Sequence, residues 1–147
     1  MEQPARSMGV VLIPGWLKSP VDEKEYARIF ELFARERVQA LSISDASENL
    51  TYLKDILALV ARAKLPAIYC FREFAAAGGL MAYAANLVEL YTQAARQVAQ
   101  ILRGAKPREL PFYQATTFTL VVNLKAAKAL AITVPPTLLA RADEVIE

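Results

Sequence analysis

The amino-acid sequence predicts an α/β fold, a three-layer sandwich built on a mainly parallel sheet, and three observations carry that prediction. Short continuous apolar runs alternate with amphipathic stretches, turn residues separate the two kinds, and the stretch Leu65 to Pro111 holds a strand, a glycine turn, a second strand and a capped helix in succession. Strands alternating with helices imply crossover units, and these force parallel pairing with helices laid on the sheet.

Gly9-Val-Val-Leu-Ile13, stopped by Pro14-Gly15, reads as the first strand, apolar throughout as expected of a strand covered on both faces. Ser19-Pro20-Val21-Asp22 then offers a capping serine, a proline at the first helical position and an acid three residues after the cap. Tyr26, Ile29, Phe30 and Phe33 follow at helical spacing and define a buried face.

Ala40 to Ile43 is the second apolar segment, opening into the polar turn Ser44-Asp45-Ala46-Ser47. Leu50, Leu53, Ile56, Leu57 and Val60 supply the stripe of the next helix. Leu65 to Phe71 reads as the third strand, Gly78-Gly79 as a turn, and Leu80 to Tyr83 as a further strand. Asn86 with Glu89 marks the start of a helix that carries Leu87, Leu90, Tyr91, Ala94, Val98 and Ile101 inward and stops at Gly104. After the prolines at 107 and 111, Thr117 to Asn123 reads as a final strand, and Lys125 to Leu130 and Pro136 to Val145 read as short helices. Nothing in the 147 residues separates domains, so one α/β domain over residues 1–147 is expected.

Composition narrows the function. The chain has no histidine, which removes the usual general base and the commonest transition-metal ligand. Its single cysteine, Cys70, lies in an apolar strand pattern and reads as a small buried hydrophobe. The formal charge of +2 points to no nucleic-acid partner. Neither GxxxxGK[ST] nor GxGxxG follows a strand, so no cofactor is expected, and no carboxylate pair stands out for acid and base chemistry. The chain reads as no enzyme.

In a parallel α/β sheet ligands sit outside the carboxyl ends of the strands, and that rule selects the loops to inspect. Ser44 and Asp45 follow a buried strand, where the carboxylate either pairs with a ligand amine or caps the turn. Arg72 and Glu73 follow the next, placed either to meet a ligand carboxylate and amine or to pair with each other and water. Trp16, Phe71 and Tyr83 are aromatics of the same rim, suited either to an apolar ligand portion or to packing.

From Leu65 onward the segments REF, AAGGLMAY, ILRGAKPRELP, FTLVVNLKAAKAL and TVPPTLLARADEVIE, with ARERVQALSISD before them, resemble the C-terminal part of ABC-transporter substrate-binding proteins of the periplasmic two-lobe type, tryptophan-binding-like members included. The resemblance implies the second lobe of a type I periplasmic binding protein, with the first lobe outside this sequence. It implies a small organic, amino-acid-like or aromatic solute held near Asp45, Phe71, Arg72, Glu73 and Tyr83, and an ABC permease as a partner. A lobe alone exposes the face its counterpart would cover, so self-association through that face, as a homo-oligomeric interaction module, is the alternative expectation. The family tends to carry glycine where this chain has Ala84 and Ala131. The stretch from Met1 to Met8 lacks the charged start and apolar core of an export signal, so the chain as written is expected in the cytoplasm, and in the periplasm if a signal and first lobe are encoded upstream.

Overall fold

The structure, a computed structural model, describes residues 2–147, with side chains from residue 5 onward. Met1, where the reading of the N-terminal leader begins, lies outside the described residues. Five strands form one sheet in sequential order: β1 (Leu41–Ile43), β2 (Ala67–Tyr69), β3 (Met81–Ala85), β4 (Phe118–Asn123) and β5 (Glu144–Ile146). β1, β2 and β3 run parallel, β4 turns back antiparallel to β3, and β5 runs parallel to β4. The sheet is mainly parallel, as the alternating pattern predicts, and the carboxyl ends of β1 to β3 share one rim.

A short helix, α1 (Glu2–Ser7), opens the chain. The stretch Gly9 to Ile13, expected as a strand, pairs with nothing in the sheet, and Val11 is 81% exposed. Its path explains the difference. Ile13, Leu17 and Val21 pack against the core, and Gly15 lies so close over the next helix that a Cβ there would stand 2.6 Å from the Phe33 ring. The segment is thus carried across a helix and away from the sheet edge.

That helix is α2 (Glu23–Arg35), and it starts three residues later than the Ser19-Pro20 signal suggests. Asp22 is the working cap, its carboxylate accepting from the Glu25 amide at 2.8 Å. Tyr26, Ile29, Phe30 and Phe33 are all buried, as their spacing requires. The next predicted helix is two pieces, α3 (Ser47–Thr51) and α4 (Leu53–Ala63), joined at Tyr52. The break rotates the register of the first piece, so Asn49 is buried where Leu50 was expected to be.

Between β2 and the glycine turn the chain forms α5 (Arg72–Ala76), whose Phe74 and Ala75 are fully buried. The main core cluster runs from α2 and α4 through Tyr69 and Phe74 to Ala82 and Val121 in the sheet. Phe74 stacks on Tyr69 with ring centroids 4.5 Å apart.

α6 (Leu87–Leu102) starts and stops where its signals say: Asn86 accepts from the Glu89 amide, and Gly104 takes φ of +101°. Its apolar stripe does not go inward, because no residue of α6 is buried and Tyr91 is 73% exposed. Its side chains bond instead to the connector beyond the 3-10 turn (Pro107–Glu109), with Tyr113 donating to Glu89 at 2.7 Å and Gln97 to the Pro111 carbonyl at 2.9 Å. Amphipathic spacing reports that a face needs cover, not that the chain supplies it.

α7 (Leu124–Ala129) and α8 (Pro136–Leu139) lead to the C-terminus, where Glu144 and Val145, read as the end of a helix, form β5 with Ile146. Asp143 sets that register by bracketing Leu120: its amide donates to the Leu120 carbonyl at 2.9 Å and its carboxylate accepts the Leu120 amide at 2.7 Å. The outer edge of β4 therefore captures the chain before a helix can form.

The two alanines at expected glycine positions differ. Ala84 sits in β3 opposite Thr119, whereas Ala131 closes α7 with φ of +55°, a left-handed conformation that costs an L-residue about 1–2 kcal/mol. Ala131→Gly is expected to raise stability by about 1 kcal/mol in urea unfolding, after the added chain entropy of glycine is subtracted, whereas Ala84→Gly lowers it by a similar amount.

Candidate functional site

The register fixes which rim residues stand together. Ile43 is paired with Tyr69 and Tyr69 with Ala82, so Ser44, Cys70 and Tyr83 come level on three neighbouring strand ends, with Asp45, Phe71 and Ala84 one position beyond. Ser44 and Asp45 are exposed, and the loop they form is held from below. The Asn49 amide donates to the Ser44 carbonyl at 2.9 Å and to its hydroxyl at 3.3 Å, while Tyr26 donates to Asn49 Oδ1 at 2.9 Å. Burial, with a smaller push from the Glu48 charge, raises the Tyr26 hydroxyl above its ordinary range and keeps it a neutral donor. Asn49 itself is 4% exposed, so its amide is a structural pin for the rim loop.

The same end of α2 holds Trp16. Arg28 donates to the Trp16 carbonyl at 3.0 Å and grips Glu25 with two nitrogens, and the Lys18 amide donates to the same carboxylate. The Trp16 ring is left in solvent, 78% exposed. The Arg28 hydrogen bond first, and the Lys18 amide second, hold the Glu25 carboxyl down to about 2 from an ordinary 4.5. A carboxylate depressed on folding contributes stability that is complete above the unfolded value and is lost as pH falls through the folded one. The melting temperature is therefore expected to fall between pH 4.5 and about 2, and Glu25→Gln to flatten that part of the profile.

Cys70 is half-buried, and burial, with the Asp45 charge nearby, pushes its thiol up. A raised thiol is a poor nucleophile, which agrees with the reading of Cys70 as a small hydrophobe. Phe71 packs partly into the core, while Glu73 is exposed. Arg72 turns across the sheet to a two-pronged pair with Glu144 of β5, one prong 2.7 Å long. That engages the guanidinium within the chain rather than with Glu73.

Tyr83 is 52% exposed and stacks on Phe118, centroids 5.2 Å apart and planes 11° from parallel. The pair is a half-exposed aromatic platform shared by β3 and β4. Phe118 escaped the sequence reading because only the antiparallel direction of β4 brings it diagonally across from Tyr83. Two cavities, of about 460 and 430 Å³, open at the opposite rim, and none of Trp16, Ser44, Asp45, Phe71, Arg72, Glu73 or Tyr83 lines either. Of the candidate residues, the strand register brings Ser44 level with Tyr83 and sets Asp45 and Phe71 one position beyond. Among the described residues, no group of three or more His, Cys, Asp or Glu side chains is placed to hold a metal ion, and no helix is long and apolar enough to cross a membrane.

The mainly parallel α/β sheet is shared with solved structures. A conserved domain protein from Vibrio cholerae O1 biovar El Tor superposes with TM-score 0.85 at 23% identity, covering 98% of this chain and 47% of its own. An ABC domain from Streptococcus pneumoniae in complex with L-Trp gives 0.84 at 23% identity, covering 97% and 48%. The ligand-free, open structure of a substrate-binding protein with adhesive properties from Clostridium difficile gives 0.63 at 16%, covering 99% and 47%. The chain spans about half the length of these proteins. The profile of the ABC transporter substrate binding protein family matches residues 31–146, and the chain belongs to that family, a transport family by description and not an enzyme family. Comparison with curated proteins gave no match.

Proposed function

We propose that this chain provides one lobe of the solute site of an ABC-type uptake receptor, binding a small amino-acid-like or aromatic molecule against the ledge of Ser44, Asp45, Phe71 and Tyr83. The observation that carries the reading is the exposed Tyr83–Phe118 stack, level with the Ser44–Asp45 loop on neighbouring strand ends. Its flat face suits an aromatic or aliphatic side chain, and the Asp45 carboxylate, exposed beside it, suits an amine. Arg72 and Glu73 stand at the edge of the same ledge; Arg72 meets a ligand carboxylate only by leaving Glu144, so it contributes less than Asp45. Trp16, tethered through its backbone carbonyl with its ring in solvent, offers a further aromatic face from the α2 side. Family membership supports the solute-binding part of this reading, and the L-Trp-bound relative makes L-Trp the first probe.

The receptor role carries a permease as partner and a location on the outer side of the membrane that the permease crosses. A half-walled ledge buries less of a ligand than a closed cleft, so the affinity of the chain alone is weak. Isothermal calorimetry against the common amino acids and aromatic acids tests this: saturable heat at millimolar L-Trp or a close analogue is the expected result. Absence of heat from every member of the panel overturns the solute reading.

The α6 face favours a second reading, self-association. Val88, Tyr91, Val98 and Leu102 are each more than half exposed on one helix, a larger apolar display than a free surface ordinarily keeps. Sedimentation at high micromolar concentration reads it directly: a dimer supports the interaction module, and a strict monomer excludes it.

A further inference from the structure

β1 and β5 are the two edges of the sheet, and they are built differently. Charge guards β5: Glu144 is locked to Arg72, and Asp143 stands just before it. Charges of that kind blunt an edge against pairing with another chain. β1 is Leu41-Ser42-Ile43, with no charge, proline or bulge. The Leu41 amide points at β2, donating to the Pro66 carbonyl at 2.9 Å, so alternation turns the Ser42 N–H and C=O outward from the edge. Ser42 is exposed, and no described strand covers that side.

The same chain carries a strand-like segment that lacks a partner. Gly9 to Ile13 has the β-branched apolar run of a strand, yet among the described residues the backbones of Val11, Leu12 and Ile13 make no hydrogen bond. Met8, Val10, Val11 and Leu12 are 77%, 47%, 81% and 46% exposed. Ile13 and Leu17 hold the segment on the core and Gly15 lies against Phe33, and in that position it does not pair with its own β1. An apolar segment with free amides and an unguarded edge with outward N–H and C=O groups are the two halves of a strand addition. We propose that two copies of this chain associate by exchange, Gly9 to Ile13 of each adding to the β1 edge of the other. Reciprocal addition uses both segments and closes on a two-fold axis, so it stops at a dimer. The four exposed side chains of each copy, with the edge surface they cover, remove on the order of 1,200 Å² from water, the lower end of specific, stable interfaces. The inference uses neither the solute ledge nor α6, so it stands apart from both readings above.

Sedimentation equilibrium of the whole chain at high micromolar concentration is expected to give a dimer. Val11→Pro removes an amide from the added segment, and Ser42→Lys sets a charge on the edge; both positions are exposed, so each variant is expected to keep the native circular dichroism. Each is expected to weaken the dimer by about tenfold or more, whereas Tyr91→Ser on α6 leaves it unchanged. In the unaltered protein, amide exchange in residues 11–13 and at Ser42 is expected to slow as concentration rises, a measurement that needs no variant to fold. A strict monomer overturns the proposal, as does a dimer that survives either Val11→Pro or Ser42→Lys. Concentration-dependent protection confined to α6, or a dimer lost to Tyr91→Ser, overturns it too and assigns self-association to α6.

Discussion

Phe74→Ala is expected to destabilise the domain by about 4 kcal/mol, the largest effect of any single truncation considered, and to lower the urea midpoint without altering the slope. Phe74 has no exposed surface, stacks at 4.5 Å on Tyr69 and lies in the helix that packs onto β2, β3 and β4. Its carbonyl also accepts the Gly79 amide at 2.8 Å, so the residue stands between the core and the tight turn into β3. Truncation leaves a void ringed by groups that the surrounding strands hold in place, and such a site relaxes poorly. Phe112→Ala makes the matching control, since Phe112 is fully exposed and its loss is expected to change stability by less than about 0.5 kcal/mol. A loss below about 1 kcal/mol for Phe74→Ala would mean that the core is not organised around this stack.

Asn49→Ala is expected to cost about 3 kcal/mol, because it strands the buried Tyr26 hydroxyl and releases the Ser44 carbonyl and hydroxyl together. The consequence for the site is distinct from the loss of stability. Amide exchange in residues 44–46 is expected to quicken well below the unfolding transition, since the loop loses its only side-chain tie described here. Tyr26→Phe removes one of the same hydrogen bonds and leaves Asn49 gripping Ser44, so it is expected to cost less and to leave loop exchange near the native rate. Equal effects of the two substitutions would place the importance of Asn49 in packing rather than in the loop.

The residues that announced themselves did so through local chemistry. Asp22 and Asn86 cap helices, Tyr26, Ile29, Phe30 and Phe33 turn inward together, and Gly104 ends α6, each for a reason contained within one turn of chain. What escaped depended on partners far away in sequence. Gly9 to Ile13 has the apolar run of a strand but leads into a segment packed over α2, away from the open edge of β1, whereas Glu144 to Ile146 lies beside β4 and becomes one. The α6 stripe is helical and amphipathic as read, yet nothing in its spacing says that its inner surface lies outside the described contacts.

The candidate ledge divides in the same way. Ser44, Asp45, Phe71 and Tyr83 followed from the rule that parallel strand ends carry ligands, and the register brings Ser44 level with Tyr83, with Asp45 and Phe71 one position beyond. Asn49 and Phe118 did not follow: the first needs the break at Tyr52 that turns it inward, the second the reversed direction of β4. Arg72 carried a plausible guanidinium signal, but its partner Glu144 lies on β5, which the sequence reading placed in a helix. Strand direction and edge pairing are properties of the whole sheet, and they decided the cases of Phe118 and Arg72.

The most direct test of a solute ledge on this chain is an NMR footprint of L-Trp on the full 147-residue protein. The account predicts saturable shifts at the amides of Ser44, Asp45, Phe71, Tyr83 and Ala84, reduced by Tyr83→Ala and Asp45→Asn. Saturable shifts confined to other surfaces, or none at millimolar ligand, would contradict it.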